Sequence, residues 1–189
     1  IKHDVCGKIV IAVNQEEVSR LPALLETGIK NGLNDLKIIN RKEILDIEPF
    51  ADGLSAIWVP QTGIIDYKGV AKSLAKNILK INSNSSILKD CKFLDCKQST
   101  IFTSKGKYEG ENVIFCGGLF SDRLAKKDNV KLDLKIVSFR GEYYELKETS
   151  KHKVKNLIYP VPNPEFPFLG VHFTRMTNGE IECGPNAVF

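Results

Sequence analysis

The sequence predicts a mixed α/β (α+β) fold in which one module is inserted within another. Runs of β-forming residues occur near both ends of the chain, and a segment that combines a helix, a hairpin and a further strand lies between them. The 189 residues are enough for one large domain or two small ones. We therefore expect residues 1–63 and 129–189 to form one discontinuous domain around residues 64–128.

Strands and helices alternate in the first part of the chain. The apolar runs 6–13, 36–39 and 53–60 are typical of strands. Apolar residues recur at helical spacing after the first of these strands, at Val18, Leu21, Leu25 and Ile29. A shorter helix is expected to begin after Asn40, whose side chain can cap it, and to end before Pro49.

The inserted segment is expected to begin with a helix over 66–81, for which Asp66 is a suitable N-cap. Strands with turns at Gly106 and Gly110 follow, and then a buried strand over 113–116. This order of elements resembles half of an α/β nucleotide-binding layer.

Paired glycines, Gly117 and Gly118, follow that strand and precede an amphipathic helix. A buried strand that ends at glycines before a helix exposes backbone N–H groups, which can bind a phosphate or an electron-rich ring. Joints of this kind are common and most of them bind nothing, so the pattern alone does not define a site.

The last part of the chain predicts a long strand and a hairpin. Residues 134–147 alternate between two faces, as in a half-buried strand. The hairpin over 168–185 is expected to turn at Asn178-Gly179, a dipeptide that favours a type I′ turn. Counting back from this turn gives three cross-strand pairs: Thr177 with Glu180, Arg175 with Glu182, and His172 with Pro185.

Composition and charge exclude several classes of function. The net charge of +4 comes from lysines spread along the chain, and no block of like charge indicates binding to nucleic acid or to an anionic membrane. No apolar run approaches the roughly 20 residues of a membrane span. Five cysteines without a C-x-x-C pair or zinc spacing indicate free thiols and no metal site. Without a signal peptide, we expect a cytoplasmic location, or one peripheral to the inner membrane.

Several segments together carry a family resemblance: TGIIDYKGVA, CGGLFSDRLA, FRGEYYEL, YPVPNPEFPFLGVHFT and NGEIECGPNAV. They resemble the L-2-hydroxyglutarate oxidase/dehydrogenase family of D-amino-acid-oxidase-like FAD oxidoreductases, and the resemblance extends from Cys6 to Val188. It implies part of an FAD-binding Rossmann-like layer, together with a substrate domain that has a mixed, largely antiparallel sheet. It also implies that FAD oxidises L-2-hydroxyglutarate to 2-oxoglutarate by hydride transfer and passes the electrons to oxygen or a quinone.

Among the departures of the chain from this family, one concerns FAD binding. The G-x-G-x-x-G turn that cradles the FAD pyrophosphate does not occur in it. The chain thus resembles the middle of such an enzyme, and we expect it to be colourless and inactive by itself. Two alternatives stay open, namely a related FAD oxidase of an amine or glycerol phosphate, and a non-catalytic domain of this fold.

His172 is the predicted catalytic residue. The resemblance places it at the strand position where related flavoenzymes hold a polar residue over the isoalloxazine ring. A histidine with a pKa near neutrality is suited to deprotonate a substrate hydroxyl group. The hairpin count places it on the same face as Cys183. The alternative is a core histidine whose ring is satisfied by hydrogen bonds.

Four further residues are predicted to bind the substrate: Arg140, Tyr144, Tyr159 and Arg175. Either arginine can pair with a substrate carboxylate. The hairpin count favours a different role for Arg175, a cross-strand pair with Glu182, and Arg140 has the alternative of a surface position. The alternative for each tyrosine, which the sequence favours, is a buried aromatic residue with a satisfied hydroxyl group.

Contacts to FAD are predicted for five residues of the inserted segment: Phe93, Cys116, Gly117, Gly118 and Ser121. The strand around Phe93 could add backbone hydrogen bonds to the adenine, and residues 113–125 could contact the flavin or the adjoining ribose and phosphates. Cys116 has the alternative of simple packing at the end of its strand.

Overall fold

The computed structural model describes residues 1–166 and 168–188 and contains two compact units. The first unit comprises residues 1–76 and 140–188, and the second comprises residues 77–139. The first unit is therefore discontinuous in sequence, with the second unit inserted into it. The functional assignment of the three predicted segments, to substrate and FAD-binding domains, stays a prediction.

The elements confirm the predicted mixed α/β class. The strands are, in chain order, β1 (His3–Asp4), β2 (Lys8–Ala12), β3 (Lys37–Asn40), β4 (Ser55–Val59), β5 (Ile64–Ile65), β6 (Phe93–Lys97), β7 (Thr100–Thr103), β8 (Gly106–Glu109), β9 (Tyr144–Glu145), β10 (Leu157–Pro160), β11 (His172–Arg175) and β12 (Ile181–Gly184). The helices are α1 (Gln15–Lys30), α2 (Arg41–Ile47), α3 (Tyr67–Ile81) and α4 (Ser121–Lys127), with 3₁₀ turns over Gly118–Phe120 and Glu148–Lys153.

The first unit contains a seven-stranded sheet in the order β3-β4-β2-β10-β11-β12-β9. Strands β2 and β10 run parallel to each other, and the other neighbouring pairs are antiparallel. The sheet is thus mixed and largely antiparallel, as the family resemblance implies. The short strands β1 and β5 pair with each other outside it.

The core of the first unit lies on both faces of this sheet, because side chains alternate along β2. One cluster packs α2 against the sheet and consists of Ile9, Ile11, Ile39, Ile44 and Ala56. The other packs α1 against the opposite face and consists of Ala12, Leu21, Ile57, Val59 and Val161. Each fully buried aliphatic side chain stabilises the fold by about 1.5–3 kcal/mol. The central strands are therefore held from both sides.

Side-chain caps fix where two helices begin. The Asn40 side chain accepts hydrogen bonds from the N–H groups of Lys42 at 2.9 Å and Glu43 at 3.1 Å. The Glu43 carboxylate accepts one from the Asn40 N–H at 2.9 Å. This capping box confirms the predicted start of α2. The same kind of cap starts α1, where Asn14 accepts from the Glu17 N–H at 2.9 Å.

The second unit contains a three-stranded antiparallel sheet in the order β6-β7-β8. The predicted turn at Gly106 is confirmed, and this glycine has φ +123°. The predicted buried strand over 113–116 is wrong. These residues pair with no strand in the described part of the chain, and Ile114 is 85% exposed. An apolar run becomes a strand only where a neighbouring strand bonds it.

The predicted long strand over 134–147 is wrong for most of its length. In the described residues, this segment pairs with β12 through β9, and Arg140 forms an isolated bridge. Between these points the Glu142 N–H donates to the Asn186 side chain at 2.7 Å, and the Asn186 N–H donates back to the Glu142 carbonyl at 3.3 Å. Pro185 has no N–H for a ladder bond, so regular pairing is interrupted there.

The turn of the hairpin between β11 and β12 differs from the predicted type I′ turn. The Met176 N–H donates to the Glu180 carbonyl at 2.8 Å, which leaves a loop of residues 177–179. Gly179 closes this loop with φ +93°. A three-residue loop with a left-handed glycine is the next most common hairpin connection.

This longer loop shifts the register, so all three predicted cross-strand pairs are off by one residue. His172 lies opposite Gly184, and Arg175 lies opposite Ile181. Cys183, which was expected to share the face of His172, lies on the other face because a slip of one residue exchanges the two faces of a strand.

No helix among residues 1–166 and 168–188 is long and apolar enough to cross a membrane. The same residues contain no group of three or more His, Cys, Asp or Glu side chains that could hold a metal ion. The five cysteines carry free thiols.

Candidate functional site

His172 is the first residue of β11, and its side chain is buried, with 6% of the residue exposed. Its Nδ1 atom lies 2.9 Å from the carbonyl oxygen of Gly170. A carbonyl oxygen only accepts hydrogen bonds, so Nδ1 carries a proton, and in the neutral form of the ring the lone pair is on Nε2. The hydrogen bond thus fixes the tautomer that a base requires.

The Nε2 atom of His172 has no hydrogen-bond partner within the described residues. In that same part of the chain, every buried side-chain nitrogen and oxygen atom has a partner. Nε2 therefore reaches the protein surface although most of the ring is covered. A small molecule can approach it there.

One side chain, Tyr159, stacks on His172, and a second, Lys8, lies over the Tyr159 ring. The Tyr159 ring, in β10, stacks on the imidazole with ring centroids 4.2 Å apart and 19° between the planes. The Lys8 Nζ atom, in β2, lies 5.2 Å from the centroid of the same Tyr159 ring. Because β2, β10 and β11 are adjacent in the sheet, these side chains form a row, the Lys8–Tyr159–His172 stack.

Lys8 is half-buried and has no ion pair within the described residues. Burial lowers the pKa of Lys8, because removal of water disfavours the charged form. Attraction to an aromatic face stabilises such a cation by about 0.5–2 kcal/mol. Sequence reasoning misses Lys8, and the signal that could have found it is a charge inside the apolar run 6–13.

The proline-rich segment determines where the Gly170 carbonyl lies. Pro160 ends β10, and a Cβ atom at position 170 would come within 2.6 Å of the Pro160 Cγ atom. Glycine therefore allows the chain to lie directly against Pro160, which brings the Gly170 carbonyl to His172. Pro162 and Pro164 lie between them, and Pro167 lies outside the described residues.

Arg175 lies on the opposite face of β11 from His172. Its Nη2 atom forms an ion pair with the Asp4 Oδ2 atom at 3.1 Å, and its Nη1 atom donates to the Lys155 carbonyl at 2.6 Å. The cross-strand pair with Glu182 is wrong, because the shifted register separates the two residues. The charge of Arg175 is thus matched inside the first unit.

A buried glutamate holds the same region in place. Glu48 is fully buried, and its carboxylate accepts from the Lys155 N–H at 3.1 Å to each oxygen and from the Asn156 N–H at 2.5 Å. Burial raises the pKa of Glu48, and these hydrogen bonds with the charges of Lys155 and Arg175 offset only part of the rise. Glu48, Lys155, Asn156, Arg175 and Asp4 form the Glu48–Arg175 network. Sequence reasoning misses Glu48, since no local pattern shows its partners.

The other two predicted substrate-binding residues lie elsewhere in the first unit. Arg140 is exposed, and its Nη2 atom pairs with the Glu142 Oε1 atom at 2.7 Å. Tyr144 is 81% exposed in the edge strand β9, on the face away from His172. Of the four predicted substrate-binding residues, the structure brings only Tyr159 next to His172.

In the second unit, Gly117 and Gly118 connect residues 113–116 to the 3₁₀ turn before α4. Gly118 has φ +52°, which favours glycine, and a Cβ atom at position 117 would lie 2.2 Å from the Leu124 Cδ1 atom. Neither glycine N–H has a hydrogen bond within the described residues. These two donors fit an electron-rich group such as FAD presents, and Ser121 follows them as the first residue of α4.

The two remaining residues predicted to contact FAD are Phe93 and Cys116. The Phe93 ring packs edge-to-face on Phe115, with centroids 5.5 Å apart, and the Lys127 Nζ atom lies 5.9 Å from its centroid. Cys116 is exposed, so simple packing at the end of a buried strand is the wrong description of it. The predicted FAD contacts stay predictions.

Comparison with known proteins shows which family the chain belongs to. The sequence model of the FAD dependent oxidoreductase (DAO) family matches residues 1–189. L-2-hydroxyglutarate dehydrogenase of Indibacter alkaliphilus is 45% identical to this chain, over 100% of the chain and 48% of that protein. The mitochondrial L-2-hydroxyglutarate dehydrogenase of Caenorhabditis briggsae is 45% identical, over 96% of this chain and 44% of that protein.

Solved structures show the same fold. Glycine oxidase from Geobacillus kaustophilus has a TM-score of 0.79 at 16% identity, over 100% of this chain and 49% of that chain. L-alpha-glycerophosphate oxidase from Mycoplasma pneumoniae, solved with FAD bound, has a TM-score of 0.78 at 20% identity, over 97% of this chain and 50% of that chain. At such identity the likeness concerns the fold alone.

These comparisons also correct one prediction. A cytoplasmic location, or one peripheral to the inner membrane, is wrong, because relatives from Caenorhabditis briggsae and Bos taurus are named as mitochondrial proteins. The chain spans about half the length of the curated relatives it matches. The family model covers every residue, and the resemblance seen in the sequence is confirmed. The chain belongs to the FAD-dependent oxidoreductase family, among relatives named L-2-hydroxyglutarate dehydrogenase.

Proposed function

We propose that this chain is part of an enzyme that oxidises L-2-hydroxyglutarate to 2-oxoglutarate with FAD. The observation that carries the proposal is 45% identity, over the whole chain, to an L-2-hydroxyglutarate dehydrogenase. FAD supplies the acceptor for the hydride of the C2 carbon. The residues of this chain bind the substrate and accept its hydroxyl proton.

His172 is the proposed base. Its Nδ1–H donates to the Gly170 carbonyl, so the lone pair of Nε2 is left to accept the proton of the C2 hydroxyl group. Rotation of the ring would break this 2.9 Å hydrogen bond, so the accepting atom keeps its orientation. Both features support a base rather than a core histidine that is satisfied on both nitrogens.

Tyr159 is the proposed substrate contact beside the base, since its ring stacks on His172. Arg140 and Arg175 are already paired with Glu142 and Asp4, and we do not assign the substrate carboxylates to them. We also propose no substrate contact for Tyr144, because it lies on the face of the sheet opposite to His172.

The proposed FAD contacts of this chain are the N–H groups of Gly117 and Gly118, with Phe93, Cys116 and Ser121 as further candidates. The two donors without hydrogen bonds in the described residues support this proposal. The contact is a secondary one, because the glycine-rich pyrophosphate turn does not occur in this sequence.

The test is anaerobic reduction of the full-length flavoprotein by L-2-hydroxyglutarate. We expect the flavin absorbance to bleach with this substrate, and not with its D enantiomer, glycine or glycerol 3-phosphate. Reoxidation by oxygen or by a soluble quinone then distinguishes the two proposed electron acceptors. Bleaching by glycine or glycerol 3-phosphate alone would indicate a related oxidase, and a full-length protein without flavin would indicate a non-catalytic domain.

A further inference from the structure

A dicarboxylate substrate requires a cation near the base, because a desolvated carboxylate without a charged partner binds weakly. The two arginines at predicted binding positions do not meet this need. Arg140 is paired with Glu142, and Arg175 is paired with Asp4. A cation whose charge is already matched exerts a weaker field on a ligand. Another side chain is therefore needed as the cation.

Lys8 has the features that these arginines lack. It belongs to the stack with Tyr159 and His172, and no carboxylate pairs with it within the described residues. Its ammonium group has lost part of its hydration, which also lowers its pKa. A bound carboxylate would supply the missing partner.

The spacing of the stack lies within the reach of a five-carbon dicarboxylate. The 4.2 Å between the two ring centroids and the 5.2 Å from the Tyr159 centroid to Lys8 Nζ add to at most 9.4 Å between Lys8 Nζ and the His172 ring centroid. In an extended 2-hydroxyglutarate the C2 hydroxyl and the distal carboxylate are about 5 Å apart, and a hydrogen bond at each end adds about 2.8 Å. This upper limit does not exceed the reach of one such molecule with a hydrogen bond at each end.

We propose that Lys8 binds the distal carboxylate of the substrate while His172 contacts the C2 hydroxyl group, so that Lys8 selects dicarboxylates over monocarboxylic 2-hydroxy acids. Tyr159 holds the ammonium group over its ring and so sets the distance between the two contacts. This inference rests on the proposed function, because a 2-hydroxy dicarboxylate supplies the carboxylate that Lys8 binds.

The experiment uses the full-length holoenzyme with Lys8→Met, which keeps the apolar stem, and Lys8→Arg, which keeps the charge. In Lys8→Met, kcat/KM for L-2-hydroxyglutarate is expected to fall about 10–100-fold, chiefly through KM. Activity towards L-2-hydroxyvalerate, which lacks the distal carboxylate, should not change, and Lys8→Arg should restore most of the loss. Lys37→Met is the matched control, because Lys37 is an exposed lysine in β3 of the same sheet.

Binding of glutarate and of valerate, followed through the flavin absorbance, separates this inference from the proposed function. If wild-type enzyme does not oxidise L-2-hydroxyglutarate, the proposed function fails, but a preference for glutarate that Lys8→Met removes still supports the Lys8 site. The assignment is overturned by a wild type without this preference, by an unchanged preference in Lys8→Met, or by a Lys8→Arg enzyme as weak as Lys8→Met. Should Lys8→Met bind no FAD, Lys8→Gln provides the same comparison.

Discussion

Strand β11 carries polar clusters on its two faces, and they differ in how their charges are matched. In the Glu48–Arg175 network, Arg175 pairs with Asp4, and Glu48 accepts hydrogen bonds from two N–H groups. In the Lys8–Tyr159–His172 stack, neither the Lys8 ammonium nor His172 Nε2 has a hydrogen-bond or ion-pair partner within the described residues. Partly covered polar groups without protein partners leave their hydrogen-bonding capacity open to a ligand. The contrast supports a structural role for the network and the proposed catalytic role for the stack.

The largest effect is expected for His172→Ala in the full-length enzyme. Loss of the proposed base should lower kcat by about 10²–10⁴-fold at saturating L-2-hydroxyglutarate, measured per bound FAD. His152→Ala is the control, because His152 is an exposed histidine of the same unit whose ring contacts Phe50. A near-normal kcat in His172→Ala would show that His172, like the Glu48–Arg175 network, has a structural role. The two faces of β11 would then not differ in function.

A smaller loss of activity is expected for Gly170→Ala, which leaves His172 itself unchanged. The new Cβ atom would lie 2.6 Å from the Pro160 Cγ atom, so the Gly170 carbonyl must move away from His172 Nδ1. Misplacement of the base should lower kcat about 10–100-fold. Gly110→Ala is the matched control, because its nearest atom would be 3.5 Å away. If Gly170→Ala keeps wild-type kcat and the wild-type pH profile, the carbonyl does not orient the base.

Most of the fold could be predicted because it depends on patterns within a few residues. The Asn40 cap, the apolar spacing of α1 and the left-handed Gly106 all act locally. Two of the errors concern pairing between distant segments. Residues 113–116 and 134–147 have strand composition, but composition does not show whether a partner strand bonds them.

The candidate site was predictable to the extent that one segment carries it. His172 and Tyr159 lie at the two ends of the proline-rich stretch that the family resemblance singled out. Lys8 and Glu48 act through residues far along the chain, and the Glu48 hydrogen bond to Lys155 spans 107 positions. A side chain whose role depends on such partners shows no local pattern, so only the structure reveals it.

In the Glu48–Arg175 network, Glu48→Gln is expected to lower the free energy of unfolding by about 1–3 kcal/mol. The new amide NH₂ group would face the N–H donors of Lys155 and Asn156 and leave one of them without an acceptor. Urea unfolding measures the loss, and Glu26→Gln on the exposed face of α1 is the control. The kcat per bound FAD should stay normal. A large loss of kcat without loss of stability would mean that the network is not merely structural.

Asp4→Asn should have a still smaller effect, because the Asp4–Arg175 ion pair is partly exposed, at 50% and 35%. Such pairs contribute about 0.2–1 kcal/mol, and salt screens them. We expect the loss of stability to shrink between low and high ionic strength, with KM for L-2-hydroxyglutarate unchanged. A marked change in KM would show that Arg175 contacts the substrate after all.

The smallest effect is expected on the stability of Lys8→Met. This variant should gain stability, whereas Glu48→Gln and Asp4→Asn should lose it. Burial disfavours the charged form of Lys8, so at neutral pH the ammonium group costs the folded state free energy that an uncharged methionine does not. Loss of the attraction to the Tyr159 ring offsets part of this gain. The free energy of unfolding should therefore rise slightly, by less than about 1 kcal/mol.

The pH dependence of the difference in unfolding free energy between Lys8→Met and wild type tests whether the charge of Lys8 causes it. The pKa of Lys8 is lowered in the folded state, so between that value and the unfolded value of about 10.4 the unfolded chain binds more protons than the folded one. Wild-type stability should therefore rise with pH across this window relative to Lys8→Met, and the advantage of the variant should shrink. Urea unfolding of both proteins from pH 7 upwards measures this. A destabilisation of Lys8→Met by more than about 1 kcal/mol at pH 7 would mean that Lys8 stabilises the fold through its contact with Tyr159. The clusters on both faces of β11 would then have a structural role.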